Sequence, residues 1–276
     1  MRYIYSLIFI LLVVSCDKPQ FSSQSSQLIV EGWIEDGGYP VVMLTKSVNL
    51  SSEYQESGSL SDNLIRWAKV SVTDGKDTVV LTGKYDKGYY PPYIYTTSHL
   101  KGEAGKTYSL IVEYEQFHAV ANTIIPATVP IDTLYVEKVE SSDSAYSISI
   151  AFRDAPAEKN YYQLFSRVGG NNRQFLASYL GSLDDERLHA TNEVPVYQGH
   201  QLGVEYTPFF HTGDTVAIKL AHIDKCTFDF WDAYIKNISL ENNMFFSAKK
   251  EISGNVTGGY GCWYGMGAST RYVIIP

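Results

Sequence analysis

Thr107-Tyr108-Ser109-Leu110-Ile111-Val112-Glu113-Tyr114-Glu115, followed at once by the run from Phe117 to Ile124, decides the fold class. Tyr108, Leu110, Val112 and Tyr114 alternate with Ser109, Ile111, Glu113 and Glu115, the period-two pattern of a strand that buries one face, and Phe117 to Ile124 is its return strand. Upstream, Leu28-Ile29-Val30-Glu31-Gly32-Trp33-Ile34 and Val41 to Thr45 are apolar runs of strand length, separated by Asp36-Gly37-Gly38 turn chemistry. Trp67 to Thr73 and Thr78 to Leu81 flank Asp74-Gly75, a hairpin signal because both residues tolerate positive φ. With no helical period between Leu28 and Ile125, residues 28–127 read as an antiparallel immunoglobulin-like sandwich.

Pro126 and Pro130 bracket a short stiff connection, the expected domain boundary. Beyond it, Leu134 to Val139, Tyr146 to Phe152 and Tyr161 to Val168 are strand patterns again, with Asp154-Ala155-Pro156-Ala157-Glu158 as a turn between the last two. A second, fibronectin-like sandwich is expected over residues 131–276. Gly169 to His211 is polar and Gly/Asn-rich and reads as an irregular insertion; Val216, Ile218 and Leu220 restore a strand, with Ala217 and Lys219 on its other face. One helix is expected, capped by Thr227, with Phe230, Trp231, Tyr234, Ile235 and Ile238 on the stripe that packs on the second sandwich. Five glycines between Gly258 and Gly267, interleaved with aromatics, indicate close backbone approach or bulges before a last strand from Arg271 to Ile275. The fold class is therefore all-β: two tandem antiparallel sandwiches with one short helix in the second.

At the N-terminus, Arg2 precedes an apolar run from Ile4 to Leu12 that is too short to span a bilayer and ends in Val13-Val14-Ser15-Cys16. Residues 1–15 read as a signal peptide, and a cut before Cys16 resembles the bacterial lipobox, in which the cysteine thiol and the new amino group both carry acyl chains. Residues 16–27, polar and Ser/Gln-rich after the cysteine, read as a tether. Loss of Arg2 takes the net charge from −8 to −9, and no basic cluster longer than Lys249-Lys250 remains, so nucleic acid is not an expected partner.

Chemistry is sparse in this sequence. There is no Gly-x-Ser-x-Gly nucleophile turn, and His99, His118, His189, His200, His211 and His222 stand at no metal-ligand spacing. Asp184-Asp185-Glu186 lacks the alternating ligands of a calcium loop and reads as a solvated acidic loop. No catalytic residue, metal or cofactor is assigned, and the chain is not expected to be an enzyme. Cys226 and Cys262, the cysteines beyond Cys16, are either a disulfide pair or two separate small apolar residues. Aromatic residues make up 14% of the chain, with 22 Tyr. Tyr89, Tyr90, Tyr93 and Tyr95 around Pro91-Pro92 form either a contact surface for a protein or glycan or a loop pinned to its own sandwich.

Cys16, the Leu28–Ile34 strand, the Ala68-Lys69-Val70-Ser71-Val72-Thr73-Asp74-Gly75 hairpin and Gly105-Lys106-Thr107-Tyr108 resemble, in this order, a lipoprotein family widespread in Bacteroidota. So do Ile125-Pro126 through Leu134, Phe152-Arg153-Asp154 before Tyr161-Tyr162, and Ser253-Gly254-Asn255-Val256. The family is known as domain of unknown function 4249. Cys262-Trp263 departs from it, where an apolar or aromatic position without a thiol is expected. The resemblance implies no catalytic residues. It implies a lipid-anchored outer-membrane protein that accompanies an integral barrel, such as a TonB-dependent transporter, with the facing leaflet open because only Asp17 is acidic after Cys16. A glycan-binding surface module and, less favoured, an envelope hydrolase are the alternatives. Thr78, Thr133, Ser144 and Thr215, each after Asp and before an apolar residue, resemble Bacteroidota O-glycosylation sites, though the same pairs suit turns entering strands. Cys16→Ala should yield folded protein that leaves the membrane fraction; continued membrane retention contradicts the lipid anchor.

Overall fold

We describe residues 26–47, 63–154, 159–169, 174–188, 193–199, 206–241 and 252–276 of the computed structural model. The first half contributes β1 (Leu28–Glu35), β2 (Val41–Lys46), β3 (Lys69–Thr73), β4 (Thr78–Val80), β5 (Thr82–Tyr85), β6 (Tyr93–Thr96), β7 (Thr107–Tyr114) and β8 (Phe117–Ile124). The second contributes β9 (Ile131–Lys138), β10 (Ala145–Phe152), β11 (Tyr161–Val168), β12 (Leu176–Asp184), β13 (Val194–Val196), β14 (Phe210–His211), β15 (Thr215–Ile223) and β16 (Tyr260–Ile274). A short helix, Asp185–Leu188, follows β12, and a long one, Lys225–Glu241, follows β15.

The fold is all-β and sandwich-like, but the two sandwiches share a sheet. Eight strands form one continuous sheet in the order β12-β11-β15-β16-β1-β2-β6-β5. Two smaller sheets lie side by side against one of its faces: β4-β3-β7-β8, and a second built on β10, which pairs with β9 along one edge and with β13 and β14 along the other. Alternation explains the two cores. Leu28, Val30 and Ile34 of β1 meet Val70, Val72, Leu110 and Val112, while Leu164, Val216, Ile218 and Leu220 meet Ile148, Ile150 and Val196. The long helix packs on the opposite face, over Phe165, Cys262 and Tyr264.

β16 joins the halves. Tyr260 to Met266 pairs in parallel with β1, and Gly267 to Ile274 then pairs antiparallel with β15. This extends the strand expected over Arg271 to Ile275: it is 15 residues long, and its first half pairs within the N-terminal sandwich. Trp263 is fully buried in the N-terminal core, and its indole nitrogen donates to the Tyr108 carbonyl at 3.1 Å. The Asn255 side chain acts as a strand for Trp263, accepting from its amide at 2.9 Å and donating to its carbonyl at 2.7 Å.

The glycines allow this crossing. The chain leaving β8 passes directly over Gly265 and Gly267, so that a Cβ on Gly265 would run into the Ile124 carbonyl. The Gly265 amide is meanwhile held by the buried Thr123 hydroxyl at 2.7 Å. The long helix is capped by Asp224, whose carboxylate accepts from the Thr227 amide at 2.7 Å, and not by Thr227, which lies buried inside the first turn. Ile238 of the expected stripe has a side chain outside the described residues.

Gly265→Ala should lower unfolding free energy by about 2–3 kcal/mol, because the added methyl must displace a backbone carbonyl in a packed core. Denaturant melts measure this; an unchanged midpoint contradicts the crossing.

Candidate functional site

The structure separates the expected site residues. Cys16 lies outside the described residues. Of the four tyrosines around Pro91-Pro92, only Tyr90 is exposed, and the other three serve the fold. Tyr95 is buried, donating to the Ile65 carbonyl and accepting from the Ala68 amide; Tyr93 donates to the Arg66 carbonyl; Tyr89 packs against Trp33. Tyr95 therefore cannot contribute to a contact surface, and the loop is also tied to the second half, with the Tyr90 amide donating to Gln174 at 2.8 Å. Thr78, Thr133, Ser144 and Thr215 are all exposed and stand at or near strand starts. Cys226 and Cys262 are free thiols in the structure, the first exposed and the second buried. Burial, then the nearby Cys226 and Asp224, push the Cys262 thiol far above its usual range.

Asp184 and Asp185 are structural, accepting from the Arg187 and Asn160 amides. His222 contacts the Ala127 carbonyl through Nδ1 at 2.8 Å. Among the described residues, no group of three or more His, Cys, Asp or Glu is gathered as metal ligands.

Two features that the sequence did not single out stand apart. The first is in the region read as an irregular insertion. β12 pairs with β11 at both ends, but Gln163 faces Ser182 and Phe165 faces Ala177, so Ser178 to Gly181 arch away opposite the single residue Leu164. The buried Gln163 side chain donates to the Leu164 carbonyl at 2.8 Å, in place of the bulged strand, and accepts from Ser182 at 2.6 Å. Ser178 binds the Tyr197 amide and carbonyl, fixing the next segment against the arch. At the summit, Leu180 takes φ 56° and stays 57% exposed. Tyr179 stands beside it with its ring 6.2 Å from those of Tyr197 and Tyr206. A leucine held in left-handed backbone costs about 1–2 kcal/mol, and here that strain displays an apolar side chain to solvent.

The second feature is Glu31, on the helix side of the central sheet. Its neighbours across the ladder are Met43 and Cys262, and Trp33 and Tyr264 stand in the next row. Its carboxylate has no hydrogen-bond or ion-pair partner among the described residues. Desolvation raises its pKa from 4.5 to about 7, yet the residue keeps part of its surface accessible. Beside it, Glu35 forms an ion pair with the buried Lys219 of β15, and Phe175 lies between Lys219 at 4.1 Å and Arg167 at 4.6 Å. One sequence signal was available: Glu31 is an acid within an otherwise apolar strand.

An all-β protein of two fused sandwiches, with an apolar arch on one sheet edge and a lone carboxylate on the helix side of the central sheet, defines the class. The chain belongs to the family described as Domain of unknown function (DUF4249), whose model matches residues 17–271. No curated protein matches it.

Because the fold prefers Glu31 protonated, its contribution to stability is intact below about pH 4.5 and is lost as pH rises through about 7. Glu31→Gln should therefore stabilise the protein by about 1–3 kcal/mol near pH 8, allowing for residual exposure, and by little near pH 4.5. Denaturant melts at the two pH values test this; a pH-independent difference contradicts it.

Proposed function

We propose that this chain is a non-enzymatic, lipid-anchored protein of the bacterial outer membrane, held through Cys16 and docking against an integral partner, a barrel of the TonB-dependent class. The observation that carries the reading is Leu180: a non-glycine residue held at φ 56° with its side chain in solvent, beside the exposed Tyr179 and Tyr206. Strain of this kind persists where surrounding structure over-determines it, and Gln163, Ser178 and Ser182 do so here. Rigid aromatic side chains around an aliphatic tip supply contact area at small entropic cost, which suits a protein partner. The tether after Cys16 is what the reading uses to bring this surface to the membrane. The barrel as partner rests on what the resemblance to the family implies, an accessory role beside transporters of the TonB-dependent class.

Leu180→Gly separates function from folding. Glycine relieves the left-handed strain, so the variant should be about 1 kcal/mol more stable. It should nevertheless recover less partner when the tagged, lipidated protein is purified from its native membrane with cross-linking and mass spectrometry. Equal recovery of a barrel by both forms contradicts the docking role of the arch, and recovery of no protein partner contradicts the accessory reading itself.

A further inference from the structure

The end of the N-terminal sandwich at which the described chain begins carries exposed aromatic residues that neither the cores nor the arch use. Gln27 enters β1 beside Ser47, its amide donating to the Ser47 hydroxyl at 2.8 Å, and Leu28 pairs with Lys46, the last residue of β2. Leu64 bridges Thr45 at the same end, and the Ile65 amide donates to the Leu44 carbonyl at 3.1 Å. Tyr93 fixes the next residues: its hydroxyl donates to the Arg66 carbonyl at 3.0 Å, and its ring lies against Gly83, where a Cβ would fall 2.5 Å from that hydroxyl. Trp67 follows, 88% exposed. Tyr85, opposite Tyr93 across the β5–β6 ladder, is 64% exposed, and Tyr260, opposite Ile29, is 55% exposed. Arg66, Lys46 and Lys69 stand at this end too, Lys69 where β3 begins.

Of the large apolar side chains among the described residues, Trp67 is the most exposed, and surfaces of this kind mark interaction sites. The length of chain before Gln27 says what covers it. Ten residues, Asp17 to Ser26, follow Cys16, and even fully extended they reach only about 35 Å. An acylated Cys16 therefore keeps this end close to lipid. The residues also suit that surface: Trp and Tyr rings, apolar with a polar tip, settle at headgroup level, while Lys and Arg lay their stems along the boundary and keep their charges in water. Lys46 and Lys69 are paired with Glu115 and Glu113, so attraction to anionic headgroups is small and the rings carry the contact.

We propose that this end of the N-terminal sandwich rests on the lipid surface, with Trp67 and Tyr85 in the headgroup layer as a second attachment beside the acyl chains. The contact rests on the Cys16 anchor of the proposed function and gives the anchored chain an orientation. β16 then runs away from the membrane. Tyr260 stands at its start, and Leu164, which the arch faces, pairs with Leu220 and through it with Ser269, nine residues further along β16. At a strand rise of about 3.3 Å per residue, the arch stands roughly 30 Å from the lipid end. Acyl chains on a tether leave a protein free to swivel, whereas a second contact holds Leu180 at a fixed height toward a partner in the same membrane.

Brominated lipids test this, because bromine quenches an indole only on close approach and, of the four tryptophans, Trp67 alone is exposed. The lipidated chain, purified from its native membrane, is added to phosphatidylcholine vesicles brominated near the headgroup end of the acyl chains. It should float with the vesicles, and part of its tryptophan emission should be quenched relative to vesicles without bromine. Trp67→Phe, at a side chain that touches little of the fold, should float equally and lose that quenching. Adding Tyr39→Trp to Trp67→Phe puts an indole at the opposite end of the β1–β2 hairpin, where it should stay unquenched. Flotation without quenching, quenching that survives Trp67→Phe, or equal quenching from Tyr39→Trp overturns the contact while the anchor stands. A wild-type chain that does not float overturns the anchor and the contact together.

Discussion

Everything in this structure depends on one strand changing partners. β16 runs beside β1 as far as Met266 and beside β15 from Gly267 onward, so the hydrogen-bond ladder never breaks between the halves. That continuity holds only because the chain from Ile124 to Ala127 can cross β16 at van der Waals contact, where Gly265 and Gly267 offer no side chain. On one side of the crossing, Trp263 fills the first core. On the other, the Glu35–Lys219 ion pair spans β16 from β1 to β15. A buried pair of this kind adds little net stability, but removal of either partner leaves an unpaired charge, so it fixes the register of the halves.

Much of the fold was legible in the sequence. Strands with one wet and one dry face announce themselves by alternation, and Thr107 to Tyr114 and Phe117 to Ile124 fall where the pattern puts them. The first half of β16 did not, because Gly261, Gly265 and Gly267 erase the apolar period there; the glycines signalled close approach but not which backbone approaches. β12 was hidden for a different reason: its arch interrupts the alternation at Ser178 to Gly181, leaving a stretch that reads as irregular. The cap of the long helix was misplaced by three residues, since Asp224 and Thr227 both suit that role and only tertiary burial of Thr227 decides between them.

The candidate sites lie where the fold departs from its own preferences. Leu180 sits in backbone that glycine would take more easily, and Glu31 places an unpaired acid where an apolar residue would pack. Both positions are expected to gain stability on substitution, the pattern of a protein that keeps local strain for use. The tyrosines around Pro91-Pro92 illustrate the converse. They are the densest aromatic patch of the sequence, yet the hydroxyls of Tyr93 and Tyr95 are spent on backbone groups of Ile65, Arg66 and Ala68, and Tyr89 packs on Trp33.

The central claim is that β16 makes the two sandwiches a single cooperative unit, and hydrogen exchange under native conditions tests it most directly. The account predicts that the amides of β1 and of β15 exchange with the same opening free energy and shift together when denaturant is added. Separate opening of the two halves, with β15 protected after β1 has exchanged, would contradict it.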